Sequence, residues 1–184
     1  MFQKLLAKIA RRLSRLRIPY MVIGAQAVLL YGEPRLTKDI DITLGIGVDK
    51  LEKIISLVRQ LRLKILVDSF EDFVKETMVL PVMDEKSGIR VDFVFSFSPY
   101  ERQAIERAKN VKISMTTVKF ASLEDVVIHK VIAGRARDIE DVKSILLKNL
   151  EYDYQYVVKW LKEFDNALGA KFLNTFKKIL KEVQ

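Results

Sequence analysis

Apolar residues recur at Phe2, Leu5, Leu6, Ile9, Leu13 and Leu16, the spacing of one helical face, so Met1 to Arg17 reads as an amphipathic helix. Ile18-Pro19 stops it, because a residue before proline is pushed out of the helical region. Tyr20 to Ile23 is a continuous apolar run closed by Gly24 and predicts a buried strand. Ala25 to Tyr31 reads as a short apolar helix with Gly32 as its stop. Glu33-Pro34 continues the turn, and Arg35 to Lys38 is a polar approach to a second strand, Asp39 to Leu44, closed by Gly45 and Gly47.

Beyond it, Leu51, Ile54, Ile55, Val58 and Leu61 predict a helix opening at Val48 or Asp49. Leu63 to Val67 is a short apolar run compatible with a strand, and Asp68 to Lys75 has helical character. Thr77 to Met83 and Ile89 to Phe97 read as two strands joined by a turn through Asp84 to Gly88. Ser98-Pro99 opens a helix to about Lys109, and Val111 to Phe120 supplies one or two short strands. From Ser122 the pattern turns helical. Ser122 caps a helix that carries acids in its first turn and ends at Gly134. Another begins near Asp138, and Tyr152 to Gln184 holds two more, separated near Asn166 to Gly169. The expected fold is α+β: a mixed β-sheet flanked by helices over residues 1–120, with a helical C-terminal section over 121–184 packed beside it.

Composition narrows the classes. The chain has 184 residues, 49% hydrophobic and 30% charged, enough for a sizeable core. It has no cysteine, which excludes a disulfide framework or thiolate metal site and suits a cytoplasmic setting. The formal net charge of +8 fits an anionic partner as well as simple solubility. No apolar run approaches the roughly 20 residues of a membrane span, and the first segment lacks the continuous apolar region of a secretory signal. That segment clusters Arg11, Arg12, Arg15 and Arg17 near its end. It has the form of a helix packed on its own domain rather than one lying on a membrane.

Candidate chemistry gathers at three acids. Asp39 and Asp41 stand at i and i+2 on a predicted strand, so their side chains share a face. Asp92 interrupts the apolar run Ile89 to Phe95. Taken singly, Asp39 would cap a turn and Asp92 would pair with Arg90 or another base at a sheet edge. Together, carboxylates on neighbouring strands are costly without a compensating cation, and carboxylate with phosphate oxygens suits magnesium.

Gly24-Ala25, Tyr31-Gly32, Arg35, Thr37, Asp39-Ile40-Asp41 and Val91-Asp92 together resemble the nucleotidyltransferase superfamily whose core is shared with DNA polymerase beta. The closer resemblance is to small AbiEii-like nucleotidyltransferases of toxin–antitoxin systems, over about Tyr20 to Leu146. The resemblance implies transfer of a nucleoside monophosphate from ATP or another NTP to an acceptor hydroxyl. It implies two magnesium ions held by Asp39, Asp41 and Asp92, the last facing the acceptor. Gly24, Ala25 and Gln26 would then meet the nucleotide, and Arg35, Thr37 and Lys38 would either touch its phosphates or hold the loop. Gly24 would admit a phosphate close to the backbone at a helix N-terminus. Ala25 departs from the commoner serine, leaving backbone N–H groups or Gln26 to grip the triphosphate. The later Lys130 resembles a family lysine that contacts the triphosphate or the acceptor, with Arg137, Asp138 and Asp141 supporting it. Ordinary helix-end charge pairing explains Asp138 and Asp141 equally well.

His129 is the sole histidine and reads as structural. Tyr152, Tyr156, Trp160 and Phe164 recur every four residues, a core-packing pattern that stacking on bases would also use. Lys171, Lys177, Lys178 and Lys181 form a basic surface that nucleic acid could use. RNA, such as a tRNA end, is the acceptor expected from the basic balance and the toxin-like resemblance; a protein hydroxyl or small molecule is the alternative. A cognate antitoxin is the expected protein partner. The competing reading is a non-catalytic nucleotide- or partner-binding protein on the same fold.

Overall fold

The computed structural model describes residues 2–34, 37–96 and 98–183. Among them, strands β1 (Tyr20–Ile23), β2 (Asp39–Leu44), β3 (Lys64–Ile65), β4 (Val79–Asp84), β5 (Ile89–Phe95), β6 (Lys109–Ile113) and β7 (Thr116–Phe120) form one mixed sheet, ordered β3-β4-β5-β2-β1-β7-β6. Central β2 runs parallel to β5 and antiparallel to β1. Alternation decides what each face carries. Ile40, Ile42 and Leu44 on β2, with Val91, Phe93 and Phe95 on β5, are buried, each worth about 1.5–3 kcal/mol relative to exposure. The intervening residues Asp39, Asp41, Arg90 and Asp92 point to the other face. A one-residue slip would drive these charges into the core, so the apolar run fixes where the acids stand.

The helices are α1 (Phe2–Arg15), α2 (Gly24–Tyr31), α3 (Leu51–Gln60, entered by a 3₁₀ turn at Val48–Lys50), α4 (Phe70–Thr77), α5 (Pro99–Arg107), α6 (Leu123–Ala133), α7 (Ala136–Lys148), α8 (Tyr154–Leu168) and α9 (Phe172–Val183). α1 buries Leu5, Leu6, Ile9 and Leu13 and packs on β7, as its stripe predicts. Ser122 Oγ accepts from the Asp125 N–H at 3.3 Å and starts α6. Gly134, at φ +63°, ends it in the left-handed conformation that glycine adopts without penalty. The chain then doubles back, so α7 packs against α6.

Several boundaries differ from the sequence expectation. The run at Leu63–Val67 yields only the two-residue β3, at a sheet edge. β4 begins at Val79, because Thr77 still belongs to α4 and Met78 caps that helix at φ +60°. Gly32 stops α2 in an extended conformation, φ −118°, rather than a left-handed one. The last break falls at Gly169–Lys171, after α8 has run on to Leu168. The aromatic row on α8 packs inward: Trp160 and Phe164 meet the Tyr100 ring edge-on at 5.0 and 5.1 Å. No described helix is long and apolar enough to cross a membrane.

Candidate active site

Asp41 lies directly opposite Asp92 in the parallel β2–β5 register, and Asp39 lies opposite Arg90. The other neighbour of Asp41 is Ile23, the last residue of β1. Gly24 follows at φ +66°, and a Cβ there would stand 1.9 Å from Asp41 Oδ2. The turn from β1 into α2 therefore passes so close to the Asp41 carboxylate that only glycine fits. The N-terminus of α2, which favours negative charge, opens at this same point.

The acids sit in a cleft of about 410 Å³. Gly24, Ala25 and Thr37 line it together with Lys130, Arg137 and Asp138. Thr37 Oγ1 accepts from the Asp39 N–H at 3.3 Å and so anchors the entry to β2. An adjoining cavity of about 230 Å³ shares Gly24, Asp41, Asp92 and Lys130 and adds His129 and Val126. Burial holds the His129 imidazole below its usual range, and its Nε2 has no hydrogen-bond partner among the described residues. Gln26 is half-buried and lies outside both linings. Arg35 lies outside the described residues.

Lys130 enters from α6 with its side chain only 7% exposed. Its ammonium donates to Asp138 Oδ1 at 2.6 Å and stands 2.9 Å from Asp141 Oδ2. These acids occupy one side of α7 at i and i+3. Two of the three lysine N–H donors are thereby directed, leaving one for the cleft that Lys130 lines. Burial pushes the Asp138 carboxyl up, but hydrogen bonds from Arg135 and Lys130 outweigh it and hold it below the usual range.

Sequence reasoning gave no site role to Arg90 or Arg135, yet both line the cleft. Arg90 Nε donates to Asp92 Oδ1 at 2.9 Å, and Arg135 Nε to Asp138 Oδ2 at 2.6 Å. Strand period two placed Arg90 on the acids' face, and that signal was available in the sequence. Asp125 was also read only as a first-turn acid. It is fully buried and accepts from Tyr156 Oη at 2.9 Å and Ser122 Oγ at 2.7 Å, linking α6 to α8.

The Asp41 carboxyl is pushed up to about 6 by burial, then by Asp92 and Asp39, against Lys130 and Arg90. Hard carboxylate oxygens crowded this way suit a divalent cation by chemistry. Among the described residues, no three acidic or histidine side chains are gathered tightly enough to coordinate one as they stand. Arg90, bonded to Asp92, supplies the countercharge there.

The pattern that defines one protein family, described as a nucleotidyltransferase of unknown function (DUF6036), matches residues 1–170. The chain belongs to this family. This nucleotidyltransferase also resembles solved structures across its length. An antigenic nucleotidyltransferase-like protein from Paracoccidioides brasiliensis is 18% identical, with a TM-score of 0.55 and 92% of each chain covered. The lincosamide antibiotic adenylyltransferase LnuA, solved with lincomycin, is 17% identical over 77% of this chain and 94% of its own, with a TM-score of 0.55. ANT(2")-Ia, solved with adenylyl-2"-tobramycin, is 12% identical over 99% and 98%, with a TM-score of 0.53. At such identities these likenesses establish the shared fold. No curated protein matches the sequence.

Proposed function

We propose that this cleft transfers a nucleoside monophosphate from an NTP, ATP being the first candidate, to an acceptor hydroxyl in a magnesium-dependent reaction. The observation that carries the reading is the register of Asp41 against Asp92, with Asp39 one pleat away and Lys130 across the cleft. Asp39, Asp41 and Asp92 would hold the magnesium ions, which when bound supply charge neutralisation for in-line displacement. The acceptor oxygen forms a bond to the α-phosphorus, the bond to the α,β-bridging oxygen breaks, and pyrophosphate leaves. Asp92 takes the acceptor's proton. Lys130, held by Asp138 and Asp141, directs its remaining N–H toward the triphosphate, and Arg137 adds a second cation on that wall. Gly24 and Ala25 place the first turn of α2 beside the phosphates, with Thr37 lining the same cleft, and Arg35 is a proposed further phosphate contact.

The acceptor we favour is RNA, such as a tRNA end, on the strength of the chain's positive charge. Placement among AbiEii-like toxins with a cognate antitoxin rests on the motif from Gly24 to Asp92 alone. The test is incubation with each labelled NTP, magnesium and total RNA or protein. Label should enter one pool and fall to background in Asp39→Ala and Asp41→Ala. Equal labelling by wild type and both variants would remove these acids from the site.

One observation favours a second reading, a nucleotide-binding protein without turnover: Arg90 already neutralises Asp92. Calorimetric ATP binding with magnesium, but no transfer into any pool, is the outcome it requires.

A further inference from the structure

A cleft of about 590 Å³ lies between α1, the end of α3 and the β4–β5 turn, and shares no lining residue with the carboxylate cleft. One wall is the polar side of α1, with Lys4, Lys8, Arg11, Arg12 and Arg15. They recur at three- and four-residue steps, so they follow one stripe. Arg62 and Lys86 face them from the other wall, and Asp84 is the only carboxylate in the lining. Asp84 is itself occupied, accepting from Ser87 Oγ at 2.5 Å.

Several cations elsewhere on the surface are paired. Lys50, Lys64, Lys75, Arg107, Lys143 and Lys148 each stand within ion-pair distance of an acid. Among the described residues no ion pair forms at any of the seven cations in this cleft; Arg11 alone has a side-chain partner, the hydroxyl of Thr116. Grouping unpaired positive charge in a concavity raises the local potential and favours an extended anion.

Arg62 adopts φ +56° just past α3, with its N–H donating to Arg59 O and the Leu63 N–H to Val58 O, both at 3.0 Å. This is the helix-ending motif whose left-handed residue is ordinarily glycine. Arg17, Met78 and Ser114 share this conformation, so at Arg62 it sets where the side chain leaves the helix end and lines the cleft.

We infer that this cleft binds the phosphodiester backbone of RNA. From Lys4 to Arg15 the helix rises about 17 Å at about 1.5 Å per residue, a span that several successive phosphates of one strand would follow. A membrane surface is the poorer match, since the apolar side of α1 is consumed in the core and the cations line a hollow rather than a plane. The turn carrying Lys86 leads straight into Ile89 and Arg90 of β5, so a strand in this cleft lies against the element that bears Asp92. Binding stands independently; only delivery of the strand's end to the carboxylates rests on the transfer reading above.

The test is fluorescence anisotropy of the intact chain with labelled bulk tRNA and a labelled oligouridylate across a salt series. The expected wild-type affinity falls steeply with salt. Lys8→Glu with Arg12→Glu should weaken binding at least tenfold and flatten the log–log salt slope by about 1.4, at about 0.7 per lost phosphate contact. Arg62→Gly should also weaken binding while its thermal midpoint stays equal to or above wild type, which separates a ligand contact from a folding defect. Lys177→Glu with Lys181→Glu on α9 should bind as wild type. Wild-type affinity in the α1 variants, loss confined to the α9 variant, or binding to anionic phosphatidylserine vesicles without binding to RNA would each overturn the inference. RNA bound through this cleft but never labelled would instead count against transfer to RNA and leave the cleft assignment standing.

Discussion

At Gly24 two constraints fall on one backbone position: a φ of +66° and an Asp41 oxygen where a Cβ would stand. The left-handed conformation alone costs a residue with a Cβ about 1–2 kcal/mol, before the carboxylate is displaced. Gly24→Ala is therefore expected to lower the thermal midpoint by several degrees, at about 2–4 °C per kcal/mol for a chain of this size. A midpoint within a degree of wild type would contradict the close approach. At Arg90 the side chain is half-exposed and its pair with Asp92 is worth at most about 1 kcal/mol. If that pair competes with a cation, Arg90→Gln should tighten manganese binding by up to roughly fivefold in calorimetry; unchanged affinity would show that the two do not compete.

The α6–α7 pair is organised by one buried ammonium. Lys130→Met would leave Asp138 and Asp141 facing each other without it, a loss of about 3–5 kcal/mol readable as a lower urea midpoint. The same pair sets an acid limit. Asp138 is depressed in the folded state, so its contribution is present above the ordinary carboxyl value of about 3.9 and is lost as pH falls through the folded value. Asp138→Asn should be less stable at neutral pH yet show a shallower further loss below about pH 4. A parallel acid limb in both proteins would dismiss Asp138 as its source. Between α6 and α8, Tyr156→Phe removes a donor from fully buried Asp125 and should cost about 1–3 kcal/mol.

A single cluster of buried hydrophobic residues runs from Leu5 on α1 to Ile179 on α9. Sheet and C-terminal helices should therefore unfold together, with Trp160 fluorescence and far-ultraviolet ellipticity tracing coincident urea transitions. Two separated transitions would show that the helical section is an independent unit. α9 lies beyond the family match, which ends at residue 170, yet Phe176 and Ile179 are buried. Phe176→Ala should cost about 3–5 kcal/mol, making α9 part of the fold rather than an appendage.

Period and punctuation were enough to read the strand at Tyr20–Ile23, the strand at Asp39–Leu44 and the common face of Asp39 and Asp41, because side-chain alternation is a local property of the backbone. The start of α6 at Ser122 and its end at Gly134 were legible for the same reason: caps act within a turn. Register between strands is not local. That Asp92 stands beside Asp41 and that Gly24 yields to a carboxylate were decided only when β1, β2 and β5 came together. The same holds for the cations of α1, whose spacing was visible from the start. Their facing partners, Arg62 and Lys86, lie 47 or more residues away, and only packing makes one hollow of them.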